Sequence, residues 1–167
     1  LWKAILEGVM NSVDAGATKC DISLSAGMVV IQDDGRGFKT EKEIEDHFET
    51  FGTPHKEGDA TYGEFRMGRG QMMAFGANDW QTGKFHMLVD IKKNGLDYQL
   101  FHLKKPVPGC RIEIKLYEKL LPSEMLGAEE ELKKFVRYVS IPVTLNGTVI
   151  STDPKKEKWD YNLDGAY

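Results

Sequence analysis

The sequence predicts an α+β domain, a two-layer α/β sandwich in which helices cover a sheet built from antiparallel hairpins. Three observations predict it. Residues 1–15 carry a helical period, and Gly16 follows where a left-handed C-terminal cap would sit. Residues 21–25 and 28–31 alternate or run apolar like two strands, joined by a short turn at Ala26-Gly27. Asn94-Gly95 lies between two further strand-like runs, a strong hairpin signal.

The remaining elements come in chain order. Thr40 with Glu43 has the spacing of a capping box, which predicts a helix from there to about Phe51. Residues 52–70 are rich in glycine and charge and are expected to be a loop, with a short helix from Gln71 to about Phe75. Residues 111–117 alternate again, with Ile112, Ile114 and Leu116 on one side. Ser123 is a candidate cap for a helix reaching about Val139. Residues 141–150 look like two strands around Asn146-Gly147. Residues 1–150 are thus expected to form the domain, with 151–167 a tail or the start of a following segment.

At 167 residues the chain is long enough to bury a core, and its 41% apolar content is ordinary for a globular domain. A net charge of −4 without a basic stripe gives no support to a nucleic-acid surface. Cys20 and Cys110 lie far apart without metal-like spacing, which fits a reducing, cytoplasmic setting. No apolar run is long enough to span a bilayer, so no membrane partner is expected. The chain opens at Leu1 inside a helical pattern, as a piece of a longer protein would.

The first helix carries the first chemical signal. Trp2, Ile5, Leu6, Val9 and Val13 fall on one side at about 100° per residue. Glu7, Asn11 and Asp14, spaced i, i+4 and i+7, line up on the other. The residues between them, Gly8, Met10 and Ser12, are not those of a strongly solvated face. An amide one turn from a carboxylate suits a hydrated Mg²⁺, which takes hard oxygen ligands and keeps several waters. A carboxylate one turn earlier is placed to orient an attacking water. On spacing alone, an ordinary amphipathic helix is the better reading.

Two glycine segments carry the next signals. Asp33-Asp34-Gly35-Arg36-Gly37 follows an apolar strand directly. Its glycines let backbone approach a flat ligand, and a carboxylate at the strand end can accept from an exocyclic amine. Arg66-Met67-Gly68-Arg69-Gly70-Gln71 opens a short apolar helix, whose free backbone N–H groups make a seat for phosphate. It has neither the Gly-Lys-Ser/Thr of a Walker A loop nor the placement of a dinucleotide-binding loop.

The order of these pieces is Glu-x3-Asn-x2-Asp-Ala on a helix, then a strand and Asp-x-Gly-x-Gly, then a long loop and a glycine-rich helix start. It resembles the GHKL superfamily: gyrase B subunits, heat-shock chaperones of the ninety-kilodalton class, sensor histidine kinases and MutL. Residues 7–18 look most like the MutL and MORC motif, residues 33–37 like the gyrase form of the second motif, and residues 63–76 like the hinge of the ATP lid. The likeness covers about residues 1–116.

The resemblance implies a Bergerat fold, with a mixed, mostly antiparallel sheet covered by helices on one face. It implies ATP and Mg²⁺ as ligands, slow ATP hydrolysis, and a nucleotide-driven switch that pairs two copies of the chain. Glu7 becomes the general base and Asn11 the Mg²⁺ ligand. Asp33 becomes the acceptor for the adenine amine, and Gly35 and Gly37 let the purine lie close. Arg36 stacks on the base. Gly68, Arg69, Gly70 and Gln71 approach the phosphates, while Asp14 supports the adenine side or the helix packing. Cys110, in Pro108-Gly109-Cys110-Arg111, stands where many members carry a threonine that binds an adenine-linked water, and a thiol is a poor donor for that contact. The lid, residues 56–67, matches no subfamily, and no counterpart of the cation that many members bring to the γ-phosphate is recognisable. The alternatives are a nucleotide sensor that does not hydrolyse and a histidine kinase, the latter disfavoured by Glu7 and by the lack of an evident acceptor helix around His47, His55, His86 or His102.

Overall fold

The computed structural model describes residues 1–48, 68–95 and 97–157, with the backbone alone at residues 47, 48 and 68–71. The elements are α1 (Trp2–Asp14), β1 (Cys20–Leu24), β2 (Met28–Asp33), α2 (Glu41–Phe48), α3 (Gly68–Phe75), β3 (Gly76–Val89), α4 (Ile91–Asn94), β4 (Tyr98–Leu116), α5 (Pro122–Phe135), β5 (Val143–Leu145) and β6 (Thr148–Val149). The sheet runs in the order β3-β4-β2-β1-β5-β6. Its pairs are antiparallel except β1 with β5, which is parallel. Helix α1 packs against both α3 and α5, and α1 and α3 also lie against the sheet. This is the two-layer α+β architecture the sequence predicts.

Strand alternation sorts the sheet into a core face and an outer face. One row across the core face is Leu145, Ile22, Ile31, Ile112 and Trp80, all buried and each opposite the next. Ala4, Ile5 and Val9 of α1, Met72 and Met73 of α3, and Leu132 of α5 close over this face. The next row towards one end is Val143, Cys20, Asp33, Cys110 and Thr82. The hydrocarbon core therefore gives way to a more polar row two residues further along the strands, at the end where the glycine loop begins.

Several local expectations hold. In α2 the Thr40 hydroxyl accepts from the Glu43 N–H at 3.2 Å, while the Glu43 carboxylate accepts from the Lys39 N–H at 2.6 Å. The expected extension to Phe51 lies outside the described residues, as do residues 52–67 of the expected loop. Asn146 (φ 50) and Gly147 (φ 81) form the tight turn between β5 and β6.

Others are corrected. α3 begins at Gly68, three residues before the expected start. First-turn residues donate no hydrogen bonds inside their helix, so the weak propensity of Gly68 and Gly70 counts least there, and buried Met72 and Met73 anchor the second turn. The Asn94-Gly95 pair is not a two-residue hairpin turn. Asp90 caps the one-turn helix α4, its carboxylate accepting from the Lys93 N–H at 3.3 Å, and Gly95 closes that helix with φ 66. Ser123 is not the cap of α5. Pro122, whose fixed φ suits the first helical position, moves the cap to Leu121, whose N–H donates to the Glu124 carboxylate at 2.7 Å. That helix ends at Phe135, with Val136 capping it, rather than at Val139.

Residues 151–157 are tied back to the sheet side. Ser151 Oγ accepts from the Val143 N–H at 2.8 Å, and Arg137 pairs with Glu157 at 2.9 Å. Among the described residues no helix is long and apolar enough to cross a membrane.

Candidate functional site

Asp33 ends β2 on the polar row and is 9% exposed. Its Oδ1 accepts from the Gly35 N–H at 2.8 Å and from the Cys110 N–H at 3.3 Å. Its Oδ2 lies 3.1 Å from the Ser12 hydroxyl of α1. The same hydroxyl lies 2.9 Å from the Gly8 carbonyl. Burial holds the Asp33 carboxyl above the ordinary carboxylate value, opposed by the Gly35 N–H, the Ser12 hydroxyl and the Cys110 N–H. The result is a fixed acceptor with spare lone-pair capacity on Oδ2, set at the edge of the core.

Asp34 does the opposite work. It is exposed and clamps the segment after α1, accepting from the N–H and hydroxyl of Thr18 and from the Lys19 N–H at 3.1 Å. The Thr18 hydroxyl and N–H hold its carboxyl below the ordinary value. The Arg36 N–H donates to the Ala15 carbonyl at 2.9 Å, a second stitch between the glycine loop and the end of α1. The Arg36 guanidinium is directed to Glu43 of α2, at 3.7 Å.

The glycines serve close packing at two places. Gly37 (φ 57) leaves room for Thr82, since a Cβ there would meet Thr82 Oγ1 at 2.5 Å. At Gly109 (φ 65) a Cβ would lie 2.0 Å from the Asp33 carbonyl oxygen. Any side chain at position 109 would push β4 off β2 and take the Cys110 N–H away from Asp33.

On α1, Glu7 and Asn11 are half-buried and Asp14 is exposed near the helix end. The Met72 side chain abuts α1 at Gly8, which brings the start of α3 alongside the Glu7–Asn11 stretch. Gly68, Arg69, Gly70 and Gln71 form the first turn of α3, where backbone N–H groups have no partner within the helix. Cys110 is half-buried, and burial together with the Asp33 charge pushes its thiol up. Cys20, across Asp33 on the other side, is pushed up to about 12, mainly by burial. Burial thus disfavours the thiolate form of both cysteines.

Sequence reasoning missed Ser12 and Thr82. Ser12 sits inside the recognised motif, but its neighbours on the helix gave no reason to turn it inward. Thr82 had one signal: it shares the parity of Asn78 and Trp80, the buried even positions of β3 before the bulge that follows Thr82.

A buried acceptor, a glycine loop stitched to a polar helix and a helix start alongside that helix thus meet at one end of this α+β domain. Residues 1–84 match the family model of histidine kinase-, DNA gyrase B- and HSP90-like ATPases, and the chain belongs to that family. None of the curated proteins compared matches the sequence. Among solved structures, the MutL ATPase domain of Aquifex aeolicus complexed with ADP is similar at a TM-score of 0.59 and 16% identity, over 89% of this chain and 61% of that one. The ATPase region of Saccharomyces cerevisiae topoisomerase II bound to ICRF-187 (dexrazoxane) is similar at 0.65 and 18%, over 89% and 48%. Another structure of that region gives 0.58 and 16%, over 84% and 47%. The chain thus spans about half to three-fifths of the length of these structures, and at such identities the likeness is one of fold.

Proposed function

We propose that this domain binds Mg-ATP, hydrolyses it slowly, and uses the nucleotide state to switch its conformation and its pairing with a second copy. The observation that carries the reading is Asp33. A buried carboxylate is costly unless it is hydrogen-bonded and has something to receive. Two backbone N–H groups fix Oδ1, which leaves Oδ2 as the acceptor for an exocyclic amine. An adenine amine matches that acceptor, whereas the carbonyl of guanine opposes it. The ADP held by the similar MutL domain supports the same assignment.

Gly35 and Gly37 then bound the purine, and the first turn of α3 receives the phosphates. Asn11 supplies one hard oxygen to Mg²⁺. Among the described residues no group of three or more His, Cys, Asp or Glu could hold a metal. A hydrated Mg²⁺, which keeps several of its waters, would need only this one protein ligand. Bound there, it neutralises phosphate charge. Glu7, one turn before Asn11, orients and deprotonates the attacking water.

Calorimetry tests the binding half of this reading. ATP is expected to bind more tightly with Mg²⁺ than without, and Mg²⁺ alone is expected to give no measurable binding, because Asn11 brings only one ligand. Undetectable ATP binding under both conditions overturns the reading. Tight binding of Mg²⁺ in the absence of nucleotide removes Asn11 from its assigned role.

A further inference from the structure

We infer that Thr82 is a positioning residue for base recognition: its one hydroxyl ties together the two backbone segments that aim Asp33. The inference rests on the reading of Asp33 as the adenine acceptor. Thr82 is fully buried on β3, opposite Cys110 of β4. Its Oγ1 accepts from the Phe38 N–H at 2.9 Å and donates to the Gly109 carbonyl at 2.8 Å. Those two bonds commit the proton and one lone pair of the hydroxyl, so it braces one backbone segment against the other.

Each bonded partner lies close in sequence to a donor that holds Asp33. Gly109 precedes Cys110, whose N–H reaches Asp33 Oδ1 at 3.3 Å, a bond already near the limit of useful length. Phe38 closes the loop that begins at Gly35, whose N–H is the other donor, at 2.8 Å. Gly37 lies between them, with no room for a side chain beside Thr82. Without the hydroxyl, the Phe38 N–H and the Gly109 carbonyl lose their partner together. Both segments are then free to shift, and the carboxylate loses the frame that fixes Oδ2. The cysteine at position 110, where the family resemblance implies threonine, leaves Thr82 as the hydroxyl on this part of the polar row.

The experiment compares ATP with inosine triphosphate, which differs at the purine by a carbonyl in place of the amine. Affinities are measured by calorimetry for the parent, Thr82→Val and Thr82→Ser, with thermal melts of each. The parent is expected to prefer ATP. Thr82→Val, which keeps shape and removes the hydroxyl, is expected to lose roughly tenfold in ATP affinity and a similar factor in that preference. Thr82→Ser is expected to keep both within about threefold. A merely structural threonine would lower the melting temperature of Thr82→Val and leave the ratio of the two affinities unchanged, and that result overturns the inference. If Thr82→Val does not fold, Thr82→Cys, a weaker hydrogen-bonding group of similar size, is read in the same way. A parent with no preference for ATP overturns the adenine reading itself, and this inference with it. A parent with the preference and a valine variant that keeps it overturn this inference alone.

Discussion

Asp33→Asn is expected to lose on the order of 2–3 kcal/mol of ATP affinity, about 30- to 150-fold, while the nucleotide-free domain melts no lower than the parent. The two halves of this result have one cause. Asn keeps a carbonyl oxygen to accept from the Gly35 and Cys110 N–H groups, now held by Asp33 Oδ1. Its amide nitrogen then takes the place of Oδ2 and faces Ser12. The Ser12 hydroxyl can receive that N–H, because its own proton has the Gly8 carbonyl 2.9 Å away. The hydrogen bonds of the site therefore survive in the empty protein, but an adenine amine meets a donor.

The charge decides the stability half. Burial raises the Asp33 pKa in the folded state, so the folded chain holds this proton more tightly than the unfolded chain does. The stability this group contributes is fully present below the ordinary carboxylate pKa and is lost as pH rises through the raised one. At neutral pH the parent carries the cost of a buried charge, and the Asn variant does not. Titrating the parent downward should also weaken ATP binding as Asp33 protonates, with no such limb in the variant. Calorimetry with ATP and melts over a pH series running downward from neutral check both halves. A variant that binds ATP like the parent removes Asp33 from the adenine site. One that melts far below the parent at neutral pH shows that the carboxylate holds the fold together.

How far the sequence discloses this site depends on the separation of the groups involved. Glu7, Asn11 and Asp33 stand out as candidates because each sits in a local pattern: one face of one helix, or the end of one strand before Gly-x-Gly. The roles of Ser12 and Thr82 are not local. Ser12 meets Asp33 across 21 positions, and Thr82 meets Phe38 across 44. Their roles arise only from strand register and helix docking, which no short window contains. The same limit shows in α1. The large apolar residues Trp2, Leu6 and Val13 mark a face, but the most deeply buried positions are Ala4, Ile5, Gly8, Val9 and Ser12. The small residues turn inward because Ile31 and Met72 fill the space beside Gly8. At Asn94-Gly95 the turn signal was overridden from the other side. Tyr117 donates to Asp90 at 2.9 Å, and Asp90 then caps a helical turn where a two-residue loop was expected.

Glu7→Ala is expected to lower ATP turnover by roughly 10²–10⁴ while ATP affinity stays within severalfold of the parent. The difference comes from where Glu7 stands. It is half-buried one turn before Asn11 on α1, alongside the start of α3. Asn11 and the first turn of α3 are assigned to the ion and the phosphates. A group one turn further from the base edge reaches the water beyond the γ-phosphate and not the nucleotide. Interactions made with the attacking water strengthen only as its proton leaves, so they lower the barrier without adding to ground-state affinity. Glu7→Gln sharpens the test, since it keeps the size and the hydrogen-bonding reach of the side chain and removes only its ability to take a proton. Both variants should bind ATP like the parent, and both should be slow. Phosphate release under saturating Mg-ATP gives the turnover, and calorimetry with the same protein gives the affinity. Equal losses of binding and turnover in Glu7→Ala, restored in Glu7→Gln, would make Glu7 a structural residue of α1. Unchanged turnover in Glu7→Gln would place the base elsewhere.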